Sequence, residues 1–434
     1  MWRRDLNLGL GADALQARRA ELRQLVRRSR EVVVLAAITG AVTGLMVRGF
    51  EYVVIEVLFD RVVSAEHLWM SALAPAAGLV VAAIILRYIG GRASPATTDD
   101  YLRAFHDPAY PLRTRHFVGR IMASIATLGS GGALGMEGPS LYGGSAIGAM
   151  IQRRLPRPFR GSDHRTLMVA GAAAGVAAIF KAPATGAIFA LEVPYRDDLA
   201  RRMLLPALVA AATGYLTFVA LSDTSPIFGV IPVPPFSLRD LLGAVAIGVT
   251  CAVGARGFAK ALRVAKGYSS RPLAGRLVVC AAALAGLFAA SRVLTGESLS
   301  IGPGYDLIRV WLVEDDHGFW LLVAIFAVRC LASAFTLAGG GVGGLFVPLV
   351  VGGAVVGRGV AEVIHPERGV LYSLLGIAAF LGAGYRVPLA AVMFVAETTG
   401  RPNFVVPALF AAVAAELVMG EQSVTSFQRR PGQD

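Results

Sequence analysis

Apolar runs recur along the whole chain, at 32–47, 70–86, 121–134, 167–191, 203–221, 241–254, 277–290, 319–338, 345–356 and 404–419. Several fall short of the ~20 residues that a helical crossing of a bilayer needs, and many are broken by Gly or Pro. In hydrocarbon every backbone N–H and C=O must find a partner within the protein. Such runs are therefore restricted to helices, and broken ones survive only where they are buried in protein or line a cavity. Hydrophobic residues make up 55% of the 434 positions and charged residues 16%, more apolar surface than a soluble core hides. The expected class is an all-α polytopic membrane protein, multi-pass in a cell membrane and most simply the bacterial inner membrane. Short, broken helices at membrane depth are the habit of transporters and channels.

The formal net charge of +12 raises the question of nucleic acid. However, Lys and Arg lie in the connections between apolar runs rather than on one soluble face, so the charge reads as membrane topology and no nucleic-acid partner is expected. Arg18, Arg19, Arg23, Arg27, Arg28 and Arg30 precede the first run, interleaved with Leu15, Leu22, Leu25 and Val26 at helical spacing. That pattern predicts a basic amphipathic helix over 1–30 on the cytoplasmic surface. Cys251, Cys280 and Cys330 show no metal-ligand or disulfide spacing and read as packed thiols, and the His residues form no ligand pattern. No cofactor or metal is implied.

One carboxylate stands apart. Glu137 lies in Gly129-Ser-Gly-Gly-Ala-Leu-Gly-Met-Glu-Gly-Pro-Ser-Leu-Tyr-Gly-Gly-Ser-Ala-Ile-Gly148, among glycines and apolar residues at membrane depth. A carboxylate stripped of water there must neutralise or find a dedicated partner, which makes it a functional candidate. A helix cap or an ordinary ion pair is the alternative.

The polar, Pro-rich stretch 223–237, with Pro226, Pro232, Pro234 and Pro235, reads as a linker between a first half at 31–222 and a second at 238–421, followed by a tail at 422–434. Two matches across the linker support a duplication. Gly135 to Gly148 aligns without a gap to Gly344-Leu-Phe-Val-Pro-Leu-Val-Val-Gly-Gly-Ala-Val-Val-Gly357, sharing four glycines and a proline. Downstream, 171–192 aligns with 376–397, so that Lys181 meets Arg386, Pro183 meets Pro388, Phe189 meets Phe394 and Glu192 meets Glu397. Repeats of this kind often pair in inverted orientation with a binding site at their interface. In each copy a G-x-x-x-P element opens a helix, with Pro suited to the first turn and Gly permitting close backbone approach. Two such N-termini converging on one point would bind an anion.

Gly135-Met-Glu-Gly-Pro139, Gly344-Leu-Phe-Val-Pro348 and Ala182-Pro-Ala-Thr-Gly-Ala-Ile-Phe-Ala-Leu-Glu192 resemble motifs of the CLC family of chloride channels and proton/anion antiporters, over roughly residues 30 to 430. The resemblance implies a CLC-like fold of two inverted repeats of short, tilted and broken helices, assembled as a homodimer with one pore per subunit. With the sequence ending at Asp434, the cytoplasmic CBS-domain pair of many eukaryotic members is not expected. By the same resemblance Glu137 is the gating glutamate. An ionised carboxylate competes with the anion for one N–H-lined site, and protonation releases it. Gly135, Met136, Gly138, Gly344, Leu345, Phe346 and Val347 would line that site, with plain helix packing as the alternative for Phe346 and Val347.

Three positions depart from the family pattern. The first anion-binding element, G-S-G-I-P, corresponds to Gly91-Arg-Ala-Ser-Pro95, so Arg92 replaces its serine. Arg92 either holds an anion, or pairs with Asp99 or Asp100 and closes the inner pore, or is an ordinary interfacial Arg; Ser94 is the other source of a hydroxyl. In Ser423-Val-Thr-Ser-Phe-Gln-Arg-Arg430, Thr425 stands where the family places its pore tyrosine, which implies a wider inner constriction. Antiporters commonly carry a second acid directly after the Ala-Pro helix as internal proton acceptor, and here Glu192 is followed by Val193. Glu192 is either a proton relay or, given its twin Glu397, a structural group. The expected function is passage of chloride or a similar monovalent anion, channel-like or weakly proton-coupled, with strict proton/anion exchange, including fluoride or nitrate selectivity, as the alternative. A serine protease around Ser130 would need a base, and no His lies within an apolar run; a cation-coupled transporter would need carboxylates that most runs lack.

Overall fold

The computed structural model describes residues 12–156, 163–225, 227–228, 236–311, 317–400 and 404–430, excepting the side chains of 12–29, 310 and 311. The side chains of the expected basic amphipathic helix, the linker prolines Pro226, Pro232, Pro234 and Pro235, and tail residues 431–434 lie outside the described residues. Helix α1, Ala12–Tyr52, joins the basic segment to the first span without a break and continues through a π-helical turn, Val53–Phe59. The first half then runs through α2 (Leu68–Tyr88), α3 (Thr98–His106), α4 (Thr114–Gly129), α5 (Glu137–Arg154), α6 (Arg165–Phe180), α7 (Pro183–Glu192) and α8 (Leu204–Val219). The second half contains α9 (Leu238–Tyr268), α10 (Leu273–Thr295), α11 (Phe319–Ala338), α12 (Phe346–Ile364), α13 (Gly369–Tyr385), α14 (Pro388–Thr399) and α15 (Val405–Met419). The second half opens on a capping box, in which Ser237 donates both its N–H (2.6 Å) and its hydroxyl (2.9 Å) to Asp240.

Eight helices among the described residues are long and apolar enough to cross a membrane. They divide by burial. The apolar window of α10 is only 22% buried, as a lipid-facing helix should be, whereas that of α12 is 72% buried and that of the span ending at Tyr385 is 89% buried. Helices α12 and α13 therefore belong to the core, and α10 faces lipid.

Close packing of that core depends on small residues. A Cβ on Gly144 would stand 2.0 Å from the Gly171 carbonyl oxygen, and one on Gly353 would stand 2.3 Å from that of Gly376. With no hydrophobic drive between helices inside lipid, such backbone contact is what holds them together. The two contacts are repeat counterparts, so α5 crosses α6 as α12 crosses α13.

Three further observations establish the inverted relation of the halves. Gly135 and Gly344 form an antiparallel bridge, with Gly135 N–H to Gly344 O at 2.9 Å and the reverse bond at 2.7 Å. Counterparts that pair antiparallel lie on a local two-fold axis. The helix ends reciprocate as well. Glu192, the last residue of α7, accepts N–H groups of Leu389 (3.1 Å) and Ala390 (2.9 Å) at the start of α14. Glu397, near the end of α14, accepts those of Ala184 (3.0 Å) and Thr185 (2.7 Å) at the start of α7. Each carboxylate thus satisfies the orphan donors of the opposite helix and complements its dipole, which requires α7 and α14 to run antiparallel. Finally, Lys181 (φ 50°) and Arg386 (φ 58°), the residues that close α6 and α13, share the left-handed conformation.

Candidate functional site

Glu137 opens α5 and Phe346, its counterpart, opens α12, so the two helix N-termini meet beside the Gly135–Gly344 bridge. The Glu137 side chain is 2% exposed and turns across the bridge, where Oε1 accepts the N–H of Phe346 at 2.7 Å. The N–H groups of Val347 and of Glu137 itself also face the carboxylate. Oε2 is buried and has no hydrogen-bond partner among the described residues. Glycine is required on both sides: a Cβ on Gly135 would stand 1.9 Å from Oε2 and one on Gly344 1.8 Å from Oε1. The carboxylate therefore sits in a cradle of backbone donors at a helix N-terminus, the environment that favours any small anion.

The cradle has a dry aromatic wall. The Phe346 ring packs on Phe180 (4.5 Å between centroids), Phe394 (4.9 Å) and Phe189 (5.2 Å). Val347 is fully buried beside it.

Two cavities approach Glu137 from opposite ends of the helices. The larger, about 410 Å³, is lined by Glu51, Lys181, Asp223, Glu297 and Tyr305 and ends at Met136. The smaller, about 220 Å³, is lined by Ser94, Thr98, Lys266, Tyr385 and Thr425 and ends at Leu345. Met136 and Leu345 are repeat counterparts, so the two approaches are related by the same pseudo-symmetry as the helices. Glu137 borders neither cavity and stands between them. The helix ends and connections on the side of the smaller cavity carry Arg87, Arg92, Arg103, Arg113, Arg115, Lys266, Arg271 and Arg276, the bias expected of a cytoplasmic face, and the smaller cavity is called the inner one on that expectation. At the outer cavity, a hydrogen bond from the Lys181 ammonium at 2.7 Å holds the carboxyl of Asp223 below the usual carboxylate range.

Other expected residues fall as follows. Ser94 and Thr425 line the inner cavity, and Gly138 packs against the Gly344 backbone. Gly135 and Gly344 lie at the site, but each spends its own N–H on the other's carbonyl. Their contribution is the space that a Cβ would fill. For Arg92 the geometry favours the ordinary interfacial reading. Its backbone is left-handed (φ 62°), its side chain is exposed, and it is absent from the inner cavity wall. Nor does it pair with the loop acids: Asp99 binds Lys266 at 2.7 Å, and Asp100 binds the buried Arg120. Val193 is fully buried, and its carbonyl accepts the Gln428 amide at 3.0 Å. Both oxygens of Glu192 are engaged as the cap of α14. Ser130 donates its hydroxyl to the Thr127 carbonyl at 3.0 Å, an ordinary helix-end bond.

Sequence reasoning missed Arg120 and Tyr385. Arg120 is 2% exposed and donates to Ser94 O (2.9 Å), Ser94 Oγ (3.1 Å) and the Tyr142 hydroxyl (2.6 Å), fixing the loop that lines the inner cavity. Its one signal is a cation inside the 114–129 helix. Tyr385 carried a comparable signal, a hydroxyl directly after the apolar stretch 374–384 of α13.

Comparison with known proteins agrees with this geometry. The chain is 26% identical over 431 residues to the H(+)/Cl(-) exchange transporter ClcA of Salmonella typhimurium, covering 92% of this chain and 88% of that protein. It is 27% identical over 376 residues to the chloride/fluoride channel protein of Pseudomonas syringae pv. tomato, covering 84% and 79%. Among solved structures, a CLC-type fluoride/proton antiporter superposes with a TM-score of 0.79 at 20% identity, covering 97% of this chain and 99% of that one. A slow cyanobacterial Cl-/H+ antiporter superposes at 0.75 and 20% identity, covering 90% and 94%. These two likenesses establish a shared fold. Residues 77–420 match the voltage-gated chloride channel family, and this chain, with its inverted repeats and paired helix N-termini, is a member of that CLC family of anion transporters.

Proposed function

We propose that the protein passes chloride or a similar monovalent anion through a pore in each subunit of a homodimer, gated by Glu137 and channel-like or weakly coupled to protons. The observation that carries this reading is the Glu137 carboxylate seated on the Phe346 N–H between two cavities of opposite access. An arriving anion and an ionised carboxylate compete for the same donors. Protonation removes the charge that holds the side chain there, and the cradle becomes free for the anion. Both cavities and the cradle belong to one chain, which suits a pore in each subunit. Under this reading Glu192 is a helix cap and not a relay, because its oxygens are already used by Leu389 and Ala390.

Strict proton/anion exchange is the second reading, favoured by relatives whose names record exchange with protons. Fluoride enters for the same reason, since two relatives carry it in their names. Against tight coupling stands Val193, an apolar side chain where antiporters of the family commonly carry an acid.

One experiment separates them. Protein reconstituted in liposomes is given chloride, fluoride or nitrate gradients at two pH values while anion and proton movement are recorded together. Anion flux with little or no uphill proton movement is expected, and robust proton pumping would overturn the channel-like reading. Glu137→Gln, which mimics the protonated side chain, should make anion flux independent of pH. Retained pH dependence in that variant would remove Glu137 from the gate.

A further inference from the structure

The inner cavity holds an aromatic hydroxyl that the Glu137 cradle does not use. Tyr385 ends α13, is 1% exposed, and reaches the cavity floor beside Leu345. Its ring is fixed edge-on by Phe189 (5.4 Å, 89°) and lies 6.4 Å from the Phe346 ring. Its carbonyl is fixed as well, by the Gln428 amide at 2.7 Å. The hydroxyl lies against the backbone N–H of Leu345 and the side chain of Thr98. Leu345 and Thr98 both line the cavity, so the phenol hydroxyl stands at its wall, where it can donate to a ligand.

Ser94 lines the same wall. Its Oγ accepts Arg120 Nη2 at 3.1 Å, so its proton also remains available on the cavity side. The formal charges at the cavity, Lys266 and Asp99, are paired at 2.7 Å and offset one another. What remains to meet a ligand is a set of neutral hydroxyl donors. Such donors recognise a small monovalent anion, hold it weakly and let it leave, which conduction requires.

We propose that Tyr385 is the principal hydroxyl donor of an inner anion subsite, entering from α13 the space that Thr425 is too small to fill. The proposal rests on the anion-transport reading above but not on Glu137 being its gate. The repeat counterpart of Tyr385 is Phe180, so this donor exists on the cytoplasmic side alone.

The test is Tyr385→Phe, which keeps the ring and removes only the hydroxyl. Half-saturating chloride is measured separately from each side of oriented liposomes, with chloride binding to the purified protein followed by calorimetry. Loss of one hydrogen bond to a charged ligand should raise the inner half-saturation about tenfold and leave the outer value within twofold. The pH dependence of flux should persist, which separates this outcome from a failure of the Glu137 gate. Thr98→Val should produce a smaller shift in the same direction and serves as the readout if the Tyr385 variant does not fold. An unchanged inner half-saturation in whichever variant folds, or equal shifts on both sides, would overturn the proposal.

Discussion

Helices α5 and α12 are one element built twice, and they differ most at the point where they meet. Where α5 opens on Glu137, α12 opens on Phe346; where α6 ends with Phe180, α13 ends with Tyr385. Elsewhere the halves agree closely, in the Gly144–Gly171 and Gly353–Gly376 crossings, the left-handed Lys181 and Arg386, and the reciprocal caps Glu192 and Glu397. Symmetry is retained where two halves must dock and abandoned where an ion needs different treatment on its two sides. A symmetric pair of carboxylates on the axis would place two like charges in one cradle. The second position is instead an apolar wall that offers only its N–H to the first.

The largest expected effect comes from the two bridge glycines. Gly135→Ala and Gly344→Ala each put a methyl group where the Glu137 carboxylate rests. Each should expel the side chain and leave anion flux insensitive to pH, as Glu137→Gln does. If the carboxylate otherwise fills the cradle about nine-tenths of the time, apparent anion affinity near neutral pH rises about tenfold. A strong pH response in both variants would mean that the cradle is not the gate.

A smaller effect tests the symmetric part. Glu192→Ala and Glu397→Ala each leave two helix-opening N–H groups without partners, one of each pair on a buried residue, Ala390 and Thr185, at about 1–3 kcal/mol per buried orphaned donor. Both should lower the melting temperature in detergent. Glu397→Ala should lower it more, because Glu397 also accepts the Thr185 hydroxyl at 2.6 Å, whereas the counterpart of Thr185 is Ala390. Loss of proton movement in Glu192→Ala with no loss of stability would break the comparison and return Glu192 to a relay role.

The smallest effect lies at the outer cavity. Lys181 is 14% exposed and Asp223 65%, so solvent screening limits this pair to roughly 0–1 kcal/mol. Since Lys181 holds Asp223 below the usual carboxylate range, the contribution is complete above that range and lost as pH falls through the lowered value. Asp223→Asn should therefore reduce stability slightly at neutral pH and make no difference in strong acid, as read from melting temperature across a pH series.

The duplication could be read from two modest alignments because glycine and proline are demanded by backbone geometry and resist replacement at crossings and helix starts. Glu137 was legible because a lone acid among glycines at membrane depth has few uses. Arg92 had to stay open between three readings, since alignment preserves chain order but not the direction of a side chain, and here a left-handed backbone accompanies an exposed side chain. Tyr385 and Arg120 were hidden for a related reason. Each reaches across the fold, Tyr385 to a cavity it shares with residues 94–99 and 424–425 among others, and Arg120 to the Ser94 loop.

By itself the sequence determined the membrane class, the duplicated halves, the broken helices and the isolated acid, all consequences of local patterning: hydropathy, helix-opening prolines and glycine spacing. Only the tertiary structure decided that Gly135 and Gly344 give up their N–H groups to one another, that Phe346 supplies the N–H to Glu137, and that a tyrosine from α13 reaches the cavity beside Thr425. The first two are contacts between residues some two hundred positions apart. A two-fold axis brings them together, and no local pattern records which of two equivalent donors will be used.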